Sequence, residues 1–371
     1  MTIHIPFTGL KRQYQDLKEE TLDVIDQVLS SGQLMDGQYT EQFERWLAKK
    51  NHSTYAITCH SGTQALEIIA EYTSRYCLVD HQPVALIPTM TYIATVNAFI
   101  RAGWDIQFID VDRNGVIDLS RIDYIRNYQA VVLVGLYGAG IDLEDKTWNI
   151  WHHVYNRNRV IIEDAAQHWL SNNCKRVGVA SAISFDPTKN FANFGNGGAI
   201  VTQSADVAAF ARGWRSNGQK GDCVSGTNSR MSEMDCATMM VKTKYIDQWQ
   251  DRRQRIALYW LNRLKESPSI RPLIDETNII DHCFHKFVID VDMRDDLMLR
   301  LAQDGIETKI HYRKPLHELP HLHHYPDPGF LSTGSALCRR IISLPIYPEL
   351  TDSEVEYIID RVLDRVSSLH N

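Results

Sequence analysis

Apolar positions along the chain follow two rhythms. Between residues 16 and 30 they recur at Leu17, Leu22, Ile25, Val28 and Leu29, close to helical spacing, and the pattern stops before Gly32. From Tyr55 to about residue 202, short apolar runs alternate with longer amphipathic ones. The runs Tyr55–Cys59, Val84–Ile87, Ile106–Val111, Ala130–Leu136, Val160–Ile162, Ala182–Phe185 and Ala199–Thr202 predict strands. Helices fall between several of them, including Tyr92–Arg101 and Thr147–Tyr155. Strands rich in Val, Ile and Leu with helices between them imply a mostly parallel sheet covered on both faces. Ligands of such sheets bind beyond the carboxyl ends of the strands.

Further on, residues 204–216 read as a helix, 217–230 as a polar loop and 231–264 as a long helical region. A strand at Phe284–Val291, a helix at Arg294–Gln303, a strand at Thr308–Tyr312 and two further helices complete the pattern. The expected fold class is α/β, with a large domain over residues 1–245, N-terminal helix included, and a smaller α/β domain over 246–371.

Composition narrows the function classes. With 371 residues and 44% hydrophobic content, the chain can bury a large core. A net charge of −7 argues against a nucleic-acid surface, and no apolar run approaches the roughly 18 residues of a membrane span. Seven cysteines without a CxxC pair read as reduced thiols, and the N-terminus lacks a signal-peptide pattern, so a cytoplasmic protein is expected.

Chemistry enters at the strand ends. One strand closes on Glu163-Asp164-Ala165-Ala166-Gln167, and the next on Ser184-Phe185-Asp186-Pro187-Thr188-Lys189, followed by Gly195-Asn196-Gly197-Gly198. A lone loop lysine is ordinarily a solvated charge. Here Pro187 and Thr188 fix a turn before it, and the glycines let backbone pass close to a ligand. A lysine amine can bond the aldehyde of pyridoxal phosphate (PLP), and a strand-end carboxylate can keep its pyridine nitrogen protonated. Asp164 reads equally well as a helix N-cap; against a pyridinium its hydrogen bond is worth roughly 1.5–3 kcal/mol. Gln167 is spaced to reach the ring hydroxyl.

Ser61-Gly62-Thr63 opens an amphipathic helix after the strand ending at Cys59, an anion site suited to a phosphate, to which Ser184 adds a hydroxyl. Tyr92 reads either as a stacking platform for a planar ring or as core. Arg215, Lys220 and Arg230 read either as contacts to a diphosphate or as surface charges. The histidines 317, 321, 323 and 324 lie among prolines without supporting Cys, so a surface loop is expected and no metal site. Gly138 and Gly140 lack the third glycine of a dinucleotide fingerprint.

Taken in order, these segments resemble the DegT/StrS family of PLP-dependent sugar aminotransferases, a branch of fold-type I. Ile5-Pro6-Phe7, Ser31-Gly32 to Gly37 with Phe43-Glu44, Asn228-Ser229-Arg230-Met231, His311-Tyr312 and Ser343-Leu344-Pro345 carry the resemblance to both ends of the chain. It implies a large α/β/α domain and these roles. Lys189 is the Schiff-base lysine and proton shuttle. Asp164 pairs with the ring nitrogen, Gln167 with the ring oxygen, and Tyr92 lies on the ring face. Ser61, Gly62, Thr63 and Ser184 hold the phosphate, joined by Asn228 from the second subunit of a homodimer. His311 and Tyr312 line the substrate side, with Arg215 and Arg230 as further candidates. The implied reaction is ping-pong, with pyridoxamine phosphate as intermediate, L-glutamate as donor and a nucleotide-linked keto sugar as acceptor. A cyclitol or other ketone is an alternative acceptor; a non-catalytic regulatory or scaffold protein is the alternative of a different class. The chain departs from the family in a shorter 169–182 stretch and in Asn196, where an acid or glutamine is more usual.

Overall fold

The computed structural model describes residues 3–78, 82–125, 127–140, 159–171, 178–219, 225–274, 276–325 and 329–369. Seven strands, β1 (Tyr55–Cys59), β2 (Val84–Pro88), β3 (Asp105–Ile109), β4 (Ala130–Val134), β5 (Val160–Asp164), β6 (Ser181–Ser184) and β7 (Gly198–Thr202), form one sheet in the order β1-β7-β6-β5-β4-β2-β3. The run from β3 through β2, β4 and β5 to β6 is parallel; β7 is antiparallel to both of its neighbours. The predicted mostly parallel sheet is therefore present, with every anticipated strand within about two residues of its predicted ends. The predicted helix over Thr147–Tyr155 lies outside the described residues.

The sheet is buried on both faces, which explains why its strands read as unbroken apolar runs. Successive residues alternate between two cores. Ile57, Ile162 and Ala182 pack with α3 (Gly62–Tyr76) and α4 (Ile93–Arg101) through Leu66, Ile69, Val96 and Phe99. Ala56, Ile183 and Phe185 pack with Phe43 and Leu47 of α2 (Gln38–Lys50) on the other side. Polar side chains can then reach a ligand only where the strands end.

The second half contains α5 (Ala205–Trp214), α6 (Glu233–Lys242) and α7 (Ile246–Leu264), so the predicted 231–264 helix is broken at Thr243–Tyr245. A three-stranded antiparallel sheet follows, β10-β9-β8, made of β8 (Ile270–Pro272), β9 (Phe287–Val291) and β10 (Ile341–Leu344). It is covered by α7, α8 (Arg294–Gln303) and α10 (Asp352–Ser367) around Trp260, Ile289, Leu297 and Ile359. Helix α9 (Ser332–Arg340) leads into β10.

Two strand expectations change here. Phe284–Val291 becomes a strand only from Phe287, because the preceding segment is tied to the large sheet: Cys283 N–H donates to Gly138 O and Lys286 N–H to Tyr137 O. Thr308–Tyr312 forms no strand; it meets β10 at a single bridge between Lys309 and Ser343 before turning away with His311 and Tyr312.

At the start of α6, the buried Glu233 carboxylate caps α2. It accepts from the N–H groups of Gly37 (2.9 Å), Tyr39 (2.5 Å) and Thr40 (3.2 Å) and from the Thr40 hydroxyl (2.5 Å). Glu233→Ala strands these donors in the interior and is expected to cost about 2–4 kcal/mol in a denaturant melt. A loss below ~1 kcal/mol would contradict this account of the α2 start.

Candidate active site

The carboxyl ends of the parallel strands open onto one cavity of about 500 Å³. Ser61, Gly62, Thr63, Tyr92, Asp164, Gln167, Ser184, Lys189, His311 and Tyr312 all line it, although they are scattered over some 250 positions of sequence.

Asp164 is the last residue of β5 and only 5% exposed. Its Oδ2 accepts from the Thr95 hydroxyl at 2.7 Å and its Oδ1 from the Ala166 N–H at 3.1 Å, which fixes the carboxylate plane. The residues after it form turns, not a helix, so the helix-cap alternative does not apply. Gln167 is held by Tyr137, whose backbone N–H donates to its Oε1 at 2.9 Å.

Lys189 follows β6 in a turn built by Asp186. The Asp186 Oδ1 accepts from Thr188 N–H (2.9 Å) and hydroxyl (2.6 Å), and the Asp186 carbonyl accepts from Lys189 N–H (2.9 Å). Burial pushes the Lys189 amine below the usual lysine range, against the pull of the Asp164 and Asp186 carboxylates.

At the other end, Ser61 Oγ caps α3 by accepting from Gln64 N–H at 3.1 Å. As first-turn residues, Gly62 and Thr63 have N–H groups with no acceptor inside the helix, at its positive end. Gly62 is required by packing: a Cβ there would lie 2.7 Å from Ser184 Cβ. The close approach brings the Ser184 hydroxyl beside the helix start, a cradle for an anion.

Tyr92 is 51% exposed and 6.1 Å ring to ring from Tyr312, so it is not a core residue. Burial, with Lys286, Lys309 and Lys189 nearby, pushes His311 down to about 3, and its Nδ1 is bonded to Ser343 Oγ at 2.8 Å. Its ring is therefore neutral across the physiological range.

Three candidates lie off the cavity. Asn228 is exposed and bridges Ser216. Arg215 is buried, and its guanidinium is taken by Glu44 Oε1 (2.6 Å), Thr58 O (2.5 Å) and Asp36 (3.4 Å); Arg230 also pairs with Asp36 at 3.2 Å. The expectation that Arg215 meets substrate is corrected on this ground: an arginine buried in holding β1 to α2 does not line the cavity. Lys220 lies outside the described residues. Of the histidine group, His317 is bonded through Nδ1 to the Thr89 hydroxyl at 2.5 Å.

Sequence reasoning missed Thr95, Tyr137, His285 and Lys286. Thr95 lies one helical turn beyond Tyr92, a spacing that placed it within reach. His285 and Lys286 together interrupt the apolar character of the 284–291 run, which is the signal in residue type. Tyr137 acts through its backbone, which leaves no trace in residue type.

With this geometry, the comparisons become interpretable. A model of the DegT/DnrJ/EryC1/StrS aminotransferase family matches residues 15–363. The chain belongs to this family. It is 30% identical to the dTDP-3-amino-3,4,6-trideoxy-alpha-D-glucose transaminase of Streptomyces venezuelae, over 97% of this chain and 96% of that one. It is 29% identical to the pleiotropic regulatory protein of Geobacillus stearothermophilus, over 98% of each. The crystal structure of S. venezuelae DesV in complex with a ketimine intermediate superposes with a TM-score of 0.90, at 29% identity and 98% coverage of both chains.

The chain thus has the fold-type I architecture and is a PLP-dependent aminotransferase. Its residues fit that cofactor. A carboxylate, an amine and an anion cradle that only glycine permits lie around one cavity. Gly62→Ala is expected to weaken cofactor binding by roughly tenfold or more, since Ser184 must move to admit the methyl group. Equilibrium dialysis of the cofactor checks this; unchanged affinity would remove Gly62 and Ser184 from the cradle.

Proposed function

We propose that this enzyme moves the amino group of L-glutamate to a keto sugar carried on a nucleoside diphosphate, in two half-reactions through one site. The observation that carries the reading is the convergence of Lys189, Asp164, Gln167 and the Ser61–Thr63 helix start on one cavity. The named reaction of the Streptomyces relative supports the acceptor class.

When bound, the cofactor supplies an aldehyde for the amine and a ring that takes up the electrons released at the reacting carbon. The protein's own groups do the rest. Lys189 Nζ would hold the cofactor through its aldehyde and, when released by the donor's amine, would serve as the base for the proton on the donor's α-carbon. Burial lowers its basicity, which favours the neutral form that a base needs. Asp164, pinned by Thr95 and Ala166, holds a proton at the ring nitrogen. Gln167 orients the ring oxygen, and Tyr92 covers one ring face. Gly62, Thr63 and Ser184 bind the phosphate, with Ser61 capping the helix they open.

Asn228 lies off this cavity and exposed, which supports its assignment to the neighbouring site of a homodimer. Arg230, paired with Asp36 and off the cavity, is left to the subunit rim. A large domain over 1–245 and a small one over 246–371 are supported by the separate core around Trp260 and Ile359, with Ile5 crossing over to join it. The five free cysteines among the described residues support a reducing, cytoplasmic setting.

L-Glutamate is expected to bleach the visible absorbance of the bound cofactor in the wild type, and keto-sugar nucleotides to restore it. Lys189→Ala is expected to show neither change; a wild type indifferent to glutamate and to other amino acids would overturn the reading and favour a regulatory protein. Asp164→Asn is expected to slow the glutamate half-reaction on the order of a hundredfold or more, measured by rapid mixing, and a rate near wild type would dismiss its role at the ring. Light scattering should give twice the 42.6 kDa of one chain; a transaminating monomer would refute the dimer.

A further inference from the structure

The cavity wall contains a second buried lysine that none of the steps above uses. Lys286 is 8% exposed and lines the same cavity as Lys189. Its position is set by backbone: Lys286 N–H donates to Tyr137 O, and its Nζ reaches the Thr188 carbonyl, next door to Lys189, at a long 3.4 Å. Its ammonium also lies 5.2 Å from the centre of the Phe7 ring, whose other neighbour is the exposed Lys309 at 5.1 Å. One stretched hydrogen bond and a ring contact leave the ammonium form under-satisfied, so that form is costly unless an anion completes it.

Among the described residues lining the cavity there is no arginine, and Lys189 and Lys286 are its lysines. The two buried histidines cannot substitute, because burial keeps His311 neutral and His285 far below its ordinary range; the third, His60, is exposed and stands beside Ser61 at the start of α3. Yet every amino-acid donor brings an α-carboxylate bonded to the reacting carbon. With Lys189 committed to the proton transfer, Lys286 is the remaining cation on the wall. Its contact with Thr188 places it near the reacting atoms, whereas a diphosphate lies on the far side of the sugar from the carbonyl being aminated.

We infer that Lys286 binds the α-carboxylate of the amino-acid donor. The inference rests on the aminotransferase reading above. It also accounts for a lysine where a carboxylate clamp would ordinarily favour arginine. Donor and acceptor occupy the site in turn, and the sugar brings hydroxyls to the place the carboxylate has left. Burial, with Lys189, Arg253 and Lys309 nearby, drives the free Lys286 amine toward its neutral form. An arriving carboxylate restores the charge, and its departure leaves an amine able to accept from a hydroxyl. An arginine would stay charged in both half-reactions.

The test uses holoenzyme and 2-methyl-L-glutamate, a donor analogue with no α-proton to lose, titrated against the cofactor spectrum so that binding is read without turnover. Lys286→Met is expected to weaken it at least tenfold, while 4-aminobutyrate, which has the amine but no α-carboxylate, changes less than twofold. Lys286→Arg is expected to recover binding of the analogue. Lys286→Gln serves in place of Lys286→Met if that variant loses the cofactor band. Equal affinity for 2-methyl-L-glutamate in wild type and the uncharged variant overturns the inference and leaves the aminotransferase reading standing. Weakened binding of UDP with unchanged binding of the analogue also overturns it and moves Lys286 to the acceptor's phosphates. A wild type that responds neither to the analogue nor to L-glutamate fails the aminotransferase reading itself.

Discussion

A sheet buried on both faces is the constraint from which the site follows. Residues of β4 and β5 are entirely apolar until the last positions, where Glu163 and Asp164 appear. A carboxylate in mid-strand would face a hydrophobic layer and strand its charge at a cost of several kcal/mol. At the strand end the same group meets the Thr95 hydroxyl, the Ala166 N–H and the cavity. Asp164 thus reaches the cavity only because it stands at the strand end, and the antiparallel β7 brings Gly197 and Gly198 to the same edge with no side chains to block it. Gly198 is as constrained as Gly62: a Cβ there would lie 2.3 Å from the Ser61 carbonyl carbon.

A second dependence joins the large sheet to the small one. The 3-10 turn at Leu136–Gly138 offers backbone groups in both directions: Tyr137 N–H to Gln167, Tyr137 O to Lys286 N–H and Gly138 O to Cys283 N–H. The Tyr137 hydroxyl bonds the His311 carbonyl, and Asn190, directly after Lys189, donates to Cys283 O at 2.7 Å. One short turn therefore positions Gln167, Lys286 and His311 together. A displacement of the small sheet would be felt at the lysine turn through Asn190.

These two dependences differ in how much of them sequence could reveal. The sheet was legible because burial on both faces forces long apolar runs, and the strand-end residues were legible because polar groups interrupt those runs at Asp164, Ser184 and Ser61. Side-chain chemistry of that sort leaves a mark in residue type. The tie between sheets is made by backbone atoms, so nothing in Tyr137 or Cys283 announces it. The same cause explains the failed strand at Thr308–Tyr312. Its residues have strand-like character, but a single bridge to Ser343 is all β10 offers before the chain is drawn toward Tyr137. Arg215 failed differently: charge was visible, but the partners that consume it, Glu44 and Asp36, are about 170 residues away.

The charge of the cavity wall is set by few groups. Neutral His285 and His311 contribute hydrogen bonds without charge, and burial keeps the Tyr312 hydroxyl protonated. Besides the exposed His60, what remains is Asp164 and Asp186 against Lys189 and Lys286. Each lysine is weakened by burial, and each counts the other among its neighbours or meets a carboxylate that opposes the loss. A wall of this kind holds its cations lightly. Such cations suit a site that binds in alternation an amino acid's carboxylate and the uncharged ring of a nucleotide-linked sugar. Among the described residues, guanidinium groups are kept off its lining, in the interior ties of Arg215 to Glu44 and of Arg253 to the Ile346 carbonyl.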